Sequence, residues 1–223
     1  MAVYQFESHY QKIAGIICGV KAGEHDGGAA QPAGLRARKR SQTERRIQTA
    51  ALELFDRHGF DEVTMEEVAT AAEVSVATVY RYFVTKENLV LHDPLEDELT
   101  SAIIKEIRTG LDIPAALEHV LEHLPTTSAK EAERDARTRI RLANEVPAIA
   151  GAAHIRARAR AEQLIDALPA AQRDDRLHAR VHALAALATL EAAADHWHDA
   201  KVPVTLRDVS LAAIRSLRSA GMD

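Results

Sequence analysis

The sequence is poor in cysteine, in aromatic residues and in long apolar runs. Cys18 is the only cysteine among 223 residues, which excludes a disulfide within one chain and a zinc site built from several cysteines. Aromatic residues make up 4%, fewer than an all-β sandwich needs. No apolar run is long enough to span a bilayer, and residues 13–20 lack a convincing signal-peptide cleavage site. We therefore expect a cytoplasmic protein without a membrane partner.

Apolar positions recur at helical spacing along most of the chain, and no segment shows strand alternation. Alanine dominates the C-terminal half, which favours helices that pack closely through small side chains. Residues 23–34 are rich in glycine, alanine and proline without periodicity, as linkers are. We predict an all-α protein with a flexible extension over residues 1–34, a DNA-binding domain over 35–90 and a ligand-binding and dimerisation domain over 91–223.

Helix-capping patterns mark the starts of the first helices. Ser41 with Glu44 forms one potential capping box, and Thr64 with Glu67 forms a second. Gly59 follows the last turn of the first helix, where a left-handed residue commonly ends a helix.

Two short helices then follow each other closely, over residues 65–72 and 76–83. Only Glu73, Val74 and Ser75 separate them, which is too few residues for antiparallel packing. The helices must cross steeply, as in a helix-turn-helix unit.

The basic residues cluster just before this unit, although the net charge is −5. Six basic residues against one acid lie between Leu35 and Arg46: Arg36, Arg38, Lys39, Arg40, Arg45 and Arg46. Local charge matters more than the sum for phosphate contact, so this arm can reach a DNA groove or backbone.

The second short helix presents side chains suited to DNA. Hydroxyl and guanidinium groups contact phosphates and base edges, and small apolar groups approach thymine methyls. Lys86, at the start of the next helix, is suited to holding a phosphate with the amides there. The predicted DNA-binding residues are Arg36, Arg38, Lys39, Arg40, Arg45, Thr64, Ser75, Val76, Ala77, Thr78, Tyr80, Arg81, Tyr82 and Lys86.

Residues 45–90 strongly resemble the N-terminal domain of the TetR family of bacterial transcriptional regulators. The matching pieces are "AALELFDRHGF", "TMEEVATAAEVSVATVYRYF" and "TKENLV". The resemblance implies a homodimer that binds a palindromic operator, usually as a repressor, and a helical C-terminal domain that receives a small ligand. One departure is Glu73, where the family usually has glycine; a left-handed backbone there costs glutamate about 1 kcal/mol.

The last two helices carry apolar stripes, which by themselves indicate only a core. The resemblance implies that these stripes form a contact between subunits. The last two family helices usually pair with those of a second subunit, which implies a dimer interface of Leu177, Val181, Leu184, Leu187, Leu206, Val209, Ala213 and Leu217. The segments "RTRIRLANEVPAIAGAAHIRARARAEQLIDAL" and "AALATLEAAADHWHDA" resemble the subgroup around the mycofactocin regulator, which implies an acyl-CoA effector. Its apolar part would lie near Leu117, Leu121, Leu142, Ile149 and Trp197.

Other functions have less support. His119 and His123 are spaced to share a helix face, as are His178 and His182, but without an HExxH motif or a nearby cysteine we expect no metal site. Without a nucleophile elbow, a P-loop or a dinucleotide fingerprint, we expect neither an enzyme nor a cofactor. The alternative is a helical ligand carrier or interaction protein that has lost specific DNA binding. The acidic residues between Asp61 and Glu87 favour that alternative, whereas the basic arm and Arg81 favour the regulator.

Overall fold

The structure is a computed structural model that describes residues 32–124, 130–200 and 204–220. These residues form eleven helices and no strand, which confirms the all-α prediction. The helices are α1 (Pro32–His58), α2 (Met65–Ala71), α3 (Val76–Tyr82), α4 (Lys86–Leu91), α5 (Pro94–Arg108), α6 (Ile113–His123), α7 (Lys130–Glu145), α8 (Pro147–Ala167), α9 (Ala170–Arg173), α10 (Arg176–Asp199) and α11 (Leu206–Ala220). None of them is both long and apolar enough to cross a membrane.

The first helix begins earlier than the sequence predicts. It starts at Pro32, so Ser41 lies inside the helix and cannot cap it. The prediction that Ser41 and Glu44 form a capping box is therefore wrong. The Glu44 carboxylate instead accepts a hydrogen bond from Nε of Arg40, at 3.2 Å. Such an (i, i+4) pair, in a segment rich in arginine and lysine, continues the helix through the basic arm. Of the predicted flexible extension, residues 1–31 lie outside the described residues and 32–34 are helical.

The second predicted capping box, of Thr64 and Glu67, is confirmed. The amide of Glu67 donates to Oγ1 of Thr64 at 3.2 Å, and the amide of Thr64 donates to Oε2 of Glu67 at 2.8 Å. Ser75 caps α3 by accepting a hydrogen bond from the amide of Thr78, and Thr85 caps α4 by accepting one from the amide of Asn88. Gly59 has the expected positive φ, 85°.

Pro94 marks the boundary between two helices. Helix α4 ends at Leu91, and α5 begins at Pro94 itself. Proline suits the first position of a helix, where no amide donor is needed, but not the interior.

The chain forms two compact units. One, which we call the N-terminal unit, holds the described residues up to His92 together with residues 134–152; the other, the C-terminal unit, holds the described parts of 93–133 and 153–220. Phe55, Val68 and Phe83 are buried in the core of the N-terminal unit, and Leu142 and Ile149 pack with them. This partition differs from the predicted domain boundary at residue 90, because local periodicity does not tell which core a helix joins.

Longer helices build the C-terminal unit. Helix α6 packs against α5 and α11, and α10 packs along α11. Ile107, Leu117, Leu164 and Ile214 are buried at the centre, together with alanines such as Ala183. The small alanine side chains let the helices approach closely, as the composition predicts.

Candidate nucleic-acid interface

Helices α2 and α3 form the predicted helix-turn-helix. Ala69 and Val79 are buried where the two helices meet, and the amide of Val74 donates to the carbonyl of Ala69 at 3.0 Å. Glu73 has φ 53°, the left-handed conformation that the family resemblance implies at this position. The glutamate thus adopts the backbone that glycine would supply more easily.

The buried side of α3 fixes which residues it presents to solvent. Val79 and the cap residue Phe83 lie in the core of the N-terminal unit. Ala77, Tyr80 and Arg81, spaced three and four residues apart, are exposed on the opposite side. Of the other predicted residues here, Ser75 is exposed, whereas Val76, Thr78 and Tyr82 are half-buried.

The hydroxyl groups in this region already have partners. Oγ1 of Thr64 donates to Oε2 of Glu67 at 3.0 Å, and the hydroxyls of Ser75 and Thr78 lie 2.8 Å apart. The backbone N–H of Thr64, and then its hydroxyl, lower the pKa of Glu67 by hydrogen bonding to the carboxylate. These hydroxyls therefore hold the starts of α2 and α3 in place.

The basic arm is brought to α3 through an aromatic ring. The guanidinium carbon of Arg40 lies 5.5 Å from the ring centre of Tyr82, and that of Arg81 lies 5.4 Å from the same centre. Cation–π attraction thus places two positive charges on one tyrosine. The sequence did not predict this role for Tyr82, because a contact between residues 42 positions apart leaves no local pattern.

The remaining predicted basic residues lie along α1 or at the start of α4. Arg38, Lys39 and Arg45 are exposed, and the side chain of Arg36 lies outside the described part. Lys86 is half-buried. Its Nζ donates to the carbonyl of Asp61 at 3.2 Å and lies 4.5 Å from the ring centre of Phe60.

One exposed apolar residue was not among the predictions. Val84, directly after α3, is largely exposed and stands seven positions after Ala77. The spacing of 77, 80, 81 and 84 is the signal that would have included it.

The five predicted ligand-lining residues are divided between the two units. Leu117 and Leu121 are buried in the core of the C-terminal unit, and Leu142 and Ile149 are buried in that of the N-terminal unit. Trp197 is buried, and its Nε1 donates to the carbonyl of Val204 at 2.9 Å.

The predicted dimer residues lie on α10 and α11, and none of them is fully buried. Leu177 is 76% exposed and Val181 54% exposed, which is unusual for large aliphatic side chains. The others are half-buried: Leu184, Leu187, Leu206, Val209, Ala213 and Leu217.

The comparisons with known proteins agree with this geometry. Residues 47–92 match the family model described as "Bacterial regulatory proteins, tetR family". The HTH-type transcriptional regulator TcmR of Streptomyces glaucescens is 36% identical over 89 residues, which cover 40% of this chain and 37% of that protein. MftR of Mycobacterium tuberculosis, whose name assigns it to the regulation of mycofactocin biosynthesis, is 41% identical over 49 residues, 22% of this chain and 25% of that protein. The matches thus span well under half the length of these relatives.

Two solved structures overlap with most of this chain at low TM-scores. A TetR-like transcriptional regulator from Rhodococcus sp. RHA1 is 19% identical, with 81% of this chain and 95% of that chain covered and a TM-score of 0.41. FadR of Thermus thermophilus, a TetR-family repressor solved with lauroyl-CoA, is 25% identical, with 78% and 93% covered and a TM-score of 0.39.

Proposed function

Because this chain belongs to the TetR family of bacterial transcriptional regulators, we propose that it is a repressor controlled by a small molecule. In this proposal it binds a palindromic operator as a homodimer and releases the DNA when an apolar or amphipathic effector binds. No residue of the chain is assigned a catalytic role.

The observation that carries the proposal is the exposed face of α3. Ala77, Tyr80 and Arg81 face solvent, while Val79 and Phe83 hold the helix on the core from the other side. A guanidinium can form two hydrogen bonds with a guanine edge, a tyrosine hydroxyl can contact a phosphate, and an alanine methyl can approach a thymine methyl. A helix held rigidly in this way can enter the major groove with its side chains in fixed positions.

The positive charge around Tyr82 also supports DNA binding by α3. Arg40 and Arg81 both lie over its ring, and Arg38 and Lys39 are exposed on the same helix as Arg40. Each cation that neutralises a phosphate releases counterions, so a local cluster favours DNA binding even on a chain with a net charge of −5.

Dimerisation is supported by the exposed apolar side chains on α10. A palindromic operator requires two recognition helices about 34–36 Å apart, which one chain cannot supply. Leu177 and Val181 expose apolar surface on one helix, and burying such surface in a symmetric contact stabilises a dimer.

The effector is proposed to bind the C-terminal unit. Resemblance to the mycofactocin-regulator subgroup supports an acyl-CoA, and Leu117, Leu121 and Trp197 are the predicted lining residues in this unit. Leu142 and Ile149 are left out of this proposal because they fill the other core. An effector can release DNA only by the difference in its affinity for the two conformations.

The test compares R81A with R57A for binding to DNA from upstream of the protein's own gene, titrated with salt. Arg57 is an exposed arginine of the same unit, paired with Glu53 and far in sequence from α3, so R57A is the matched control. We expect saturable, salt-sensitive binding by the unaltered protein and by R57A. We expect R81A to lose about 1–3 kcal/mol, roughly 5- to 150-fold in affinity.

Equal affinity of R81A and R57A would contradict the role of α3. Binding no better than to random DNA would instead favour the ligand-carrier alternative. Repeating the titration with a long-chain acyl-CoA tests the effector separately: release supports it, and intact binding contradicts the acyl-CoA part alone.

A further inference from the structure

A cluster of possible metal ligands lies at the end of α6, in the C-terminal unit and apart from the DNA-binding residues. His119, Glu122 and His123 each offer a ligand atom, and these atoms lie within 4.8 Å of one another. The spacing of three and four residues puts all of them on one face of the helix. A fourth group, Glu106, comes from the neighbouring helix α5, with Oε2 located 3.8 Å from Nε2 of His119.

Glu106 is the unusual member of the cluster, because it is a carboxylate that is only 6% exposed. A buried carboxylate is costly unless a cation lies beside it. The distance of 3.8 Å to His119 is too long for a hydrogen bond. It places the carboxylate beside the His119 imidazole, where a cation bound to that ring would offset the buried negative charge.

The orientation of His123 also suits a metal ligand. Its Nδ1 lies 2.7 Å from the carbonyl oxygen of His119, a contact in which Nδ1–H donates to that carbonyl. In that tautomer Nε2 carries the lone pair, and backbone or carboxylate partners of this kind commonly orient metal-binding histidines. Glu122 contacts Arg215 through Oε1 at 2.6 Å and has a second oxygen to offer.

From this geometry we propose that His119, Glu122 and His123, with Glu106 beside them, bind one divalent transition-metal ion of the zinc class. Two imidazoles and a carboxylate are borderline ligands that favour Zn²⁺ and Co²⁺ over Mg²⁺ or Ca²⁺. This inference goes beyond the proposed regulation of DNA binding and does not depend on it.

The chain carries its own control for this site. His178 and His182 on α10 are also four residues apart, with ring centres 4.0 Å from each other, much like the 4.3 Å of His119 and His123. Among the described residues, however, only the α6 pair belongs to a cluster with a third ligand. If two neighbouring histidines were enough, both pairs would bind metal equally.

The experiment titrates ZnCl₂ into the full chain, prepared without a histidine tag and stripped of metal, by calorimetry, and repeats the titration with Co²⁺ by visible absorption. We compare the unaltered protein with H119N/H123N, H178N/H182N and E106Q. We expect one equivalent bound at micromolar or lower concentration, lost in H119N/H123N and kept in H178N/H182N. We expect E106Q to bind about tenfold more weakly or worse.

Three results would overturn the site: no binding by the unaltered protein at micromolar Zn²⁺, full binding by H119N/H123N, or an equal loss in both double variants. Circular dichroism checks that each variant is folded. If E106Q does not fold because Glu106 is buried, the two histidine variants still decide the question, since their side chains lie at or near the surface.

Discussion

The two units differ in how far their helices can rely on packing. Helices α2, α3 and α4 of the N-terminal unit are 7, 7 and 6 residues long, too short to be stable alone. Each begins at a threonine or serine whose side-chain oxygen accepts a hydrogen bond from a backbone amide. Helices α10 and α11 of the C-terminal unit, with 24 and 15 residues, are capped as well, by Asp175 and Thr205, but they also pack along their length. A cap is therefore a larger part of what holds a short helix than of what holds a long one.

The arginines at the α3 surface and those between the C-terminal helices have different partners. Arg40 and Arg81 stack on Tyr82 near the surface of the N-terminal unit, and Arg40 also pairs with Glu44. In the C-terminal unit, Arg215 pairs with Glu118 and Glu122 of α6, and Arg207 donates to carbonyls at the end of the same helix. Arg81 thus presents its charge on an exposed face, whereas Arg215 and Arg207 use theirs to link helices.

The largest expected effect comes from charging the apolar surface of α10. In L177D/V181D, two carboxylates would replace Leu177 and Val181, whose exposure we attribute to a contact between subunits. Desolvating unpaired charge is costly, so we expect dimer affinity to fall by about 100-fold or more. Sedimentation equilibrium measures the change.

The control for this variant is I155D. Ile155 on α8 is also an exposed aliphatic residue, at 70%, but is outside the predicted interface. The I155D substitution should leave the dimer intact. A dimer that survives in L177D/V181D, or that is lost equally in I155D, would place the contact elsewhere.

A smaller effect is expected from the links between α6 and α11. Hydrogen bonds from Arg215 and Arg218 lower the pKa of Glu118 below its usual 4.5. The folded protein therefore binds this proton less readily than the unfolded chain, and Glu118 stabilises the fold above the unfolded-state pKa. We expect E118Q to lower the free energy of unfolding at neutral pH by about 1 kcal/mol or less.

The pH dependence distinguishes the ion pair from packing. The difference between E118Q and the unaltered protein should shrink as the pH falls below 4.5 and through the folded-state pKa of Glu118. Urea unfolding over that range measures it. Glu191, exposed on α10, supplies the control E191Q, which should have little effect. A difference that is constant with pH would mean that Glu118 acts through its shape and not its charge.

The sequence predicts local features, such as helix caps, better than contacts between distant residues. The caps at Thr64, Ser75 and Thr85 involve residues within four positions of each other, so the local sequence predicts them. The left-handed backbone at Glu73 was implied instead by the resemblance to a family that usually has glycine there. The start of α1 was misplaced because Ser41 offers a good cap, yet the helix-forming residues before it and the pair of Arg40 with Glu44 extend the helix. A capping motif permits a helix to start but does not require it.

Contacts between distant residues could not be predicted in this way. Leu142 and Ile149 have the same spacing and hydrophobicity as residues of the C-terminal core, yet they pack with Phe55 and Phe83. The approach of Glu106 to His119 likewise depends on how α5 packs against α6. Periodicity identifies the apolar face of a helix, and only the tertiary fold identifies its neighbour.

The smallest expected effect concerns the turn between α2 and α3. Glu73 has φ 53°, which costs a side chain about 1–2 kcal/mol, whereas glycine adopts it freely. Glycine also gains about 0.5–1 kcal/mol of freedom in the unfolded chain, so E73G should stabilise the protein by only about 0.5 kcal/mol. E66G is the control: Glu66 is an exposed residue of α2 with ordinary helical backbone, and glycine there should destabilise by about 0.5–1 kcal/mol. Opposite signs in urea unfolding would show that the turn carries backbone strain, and a loss of stability in both variants would show that it does not.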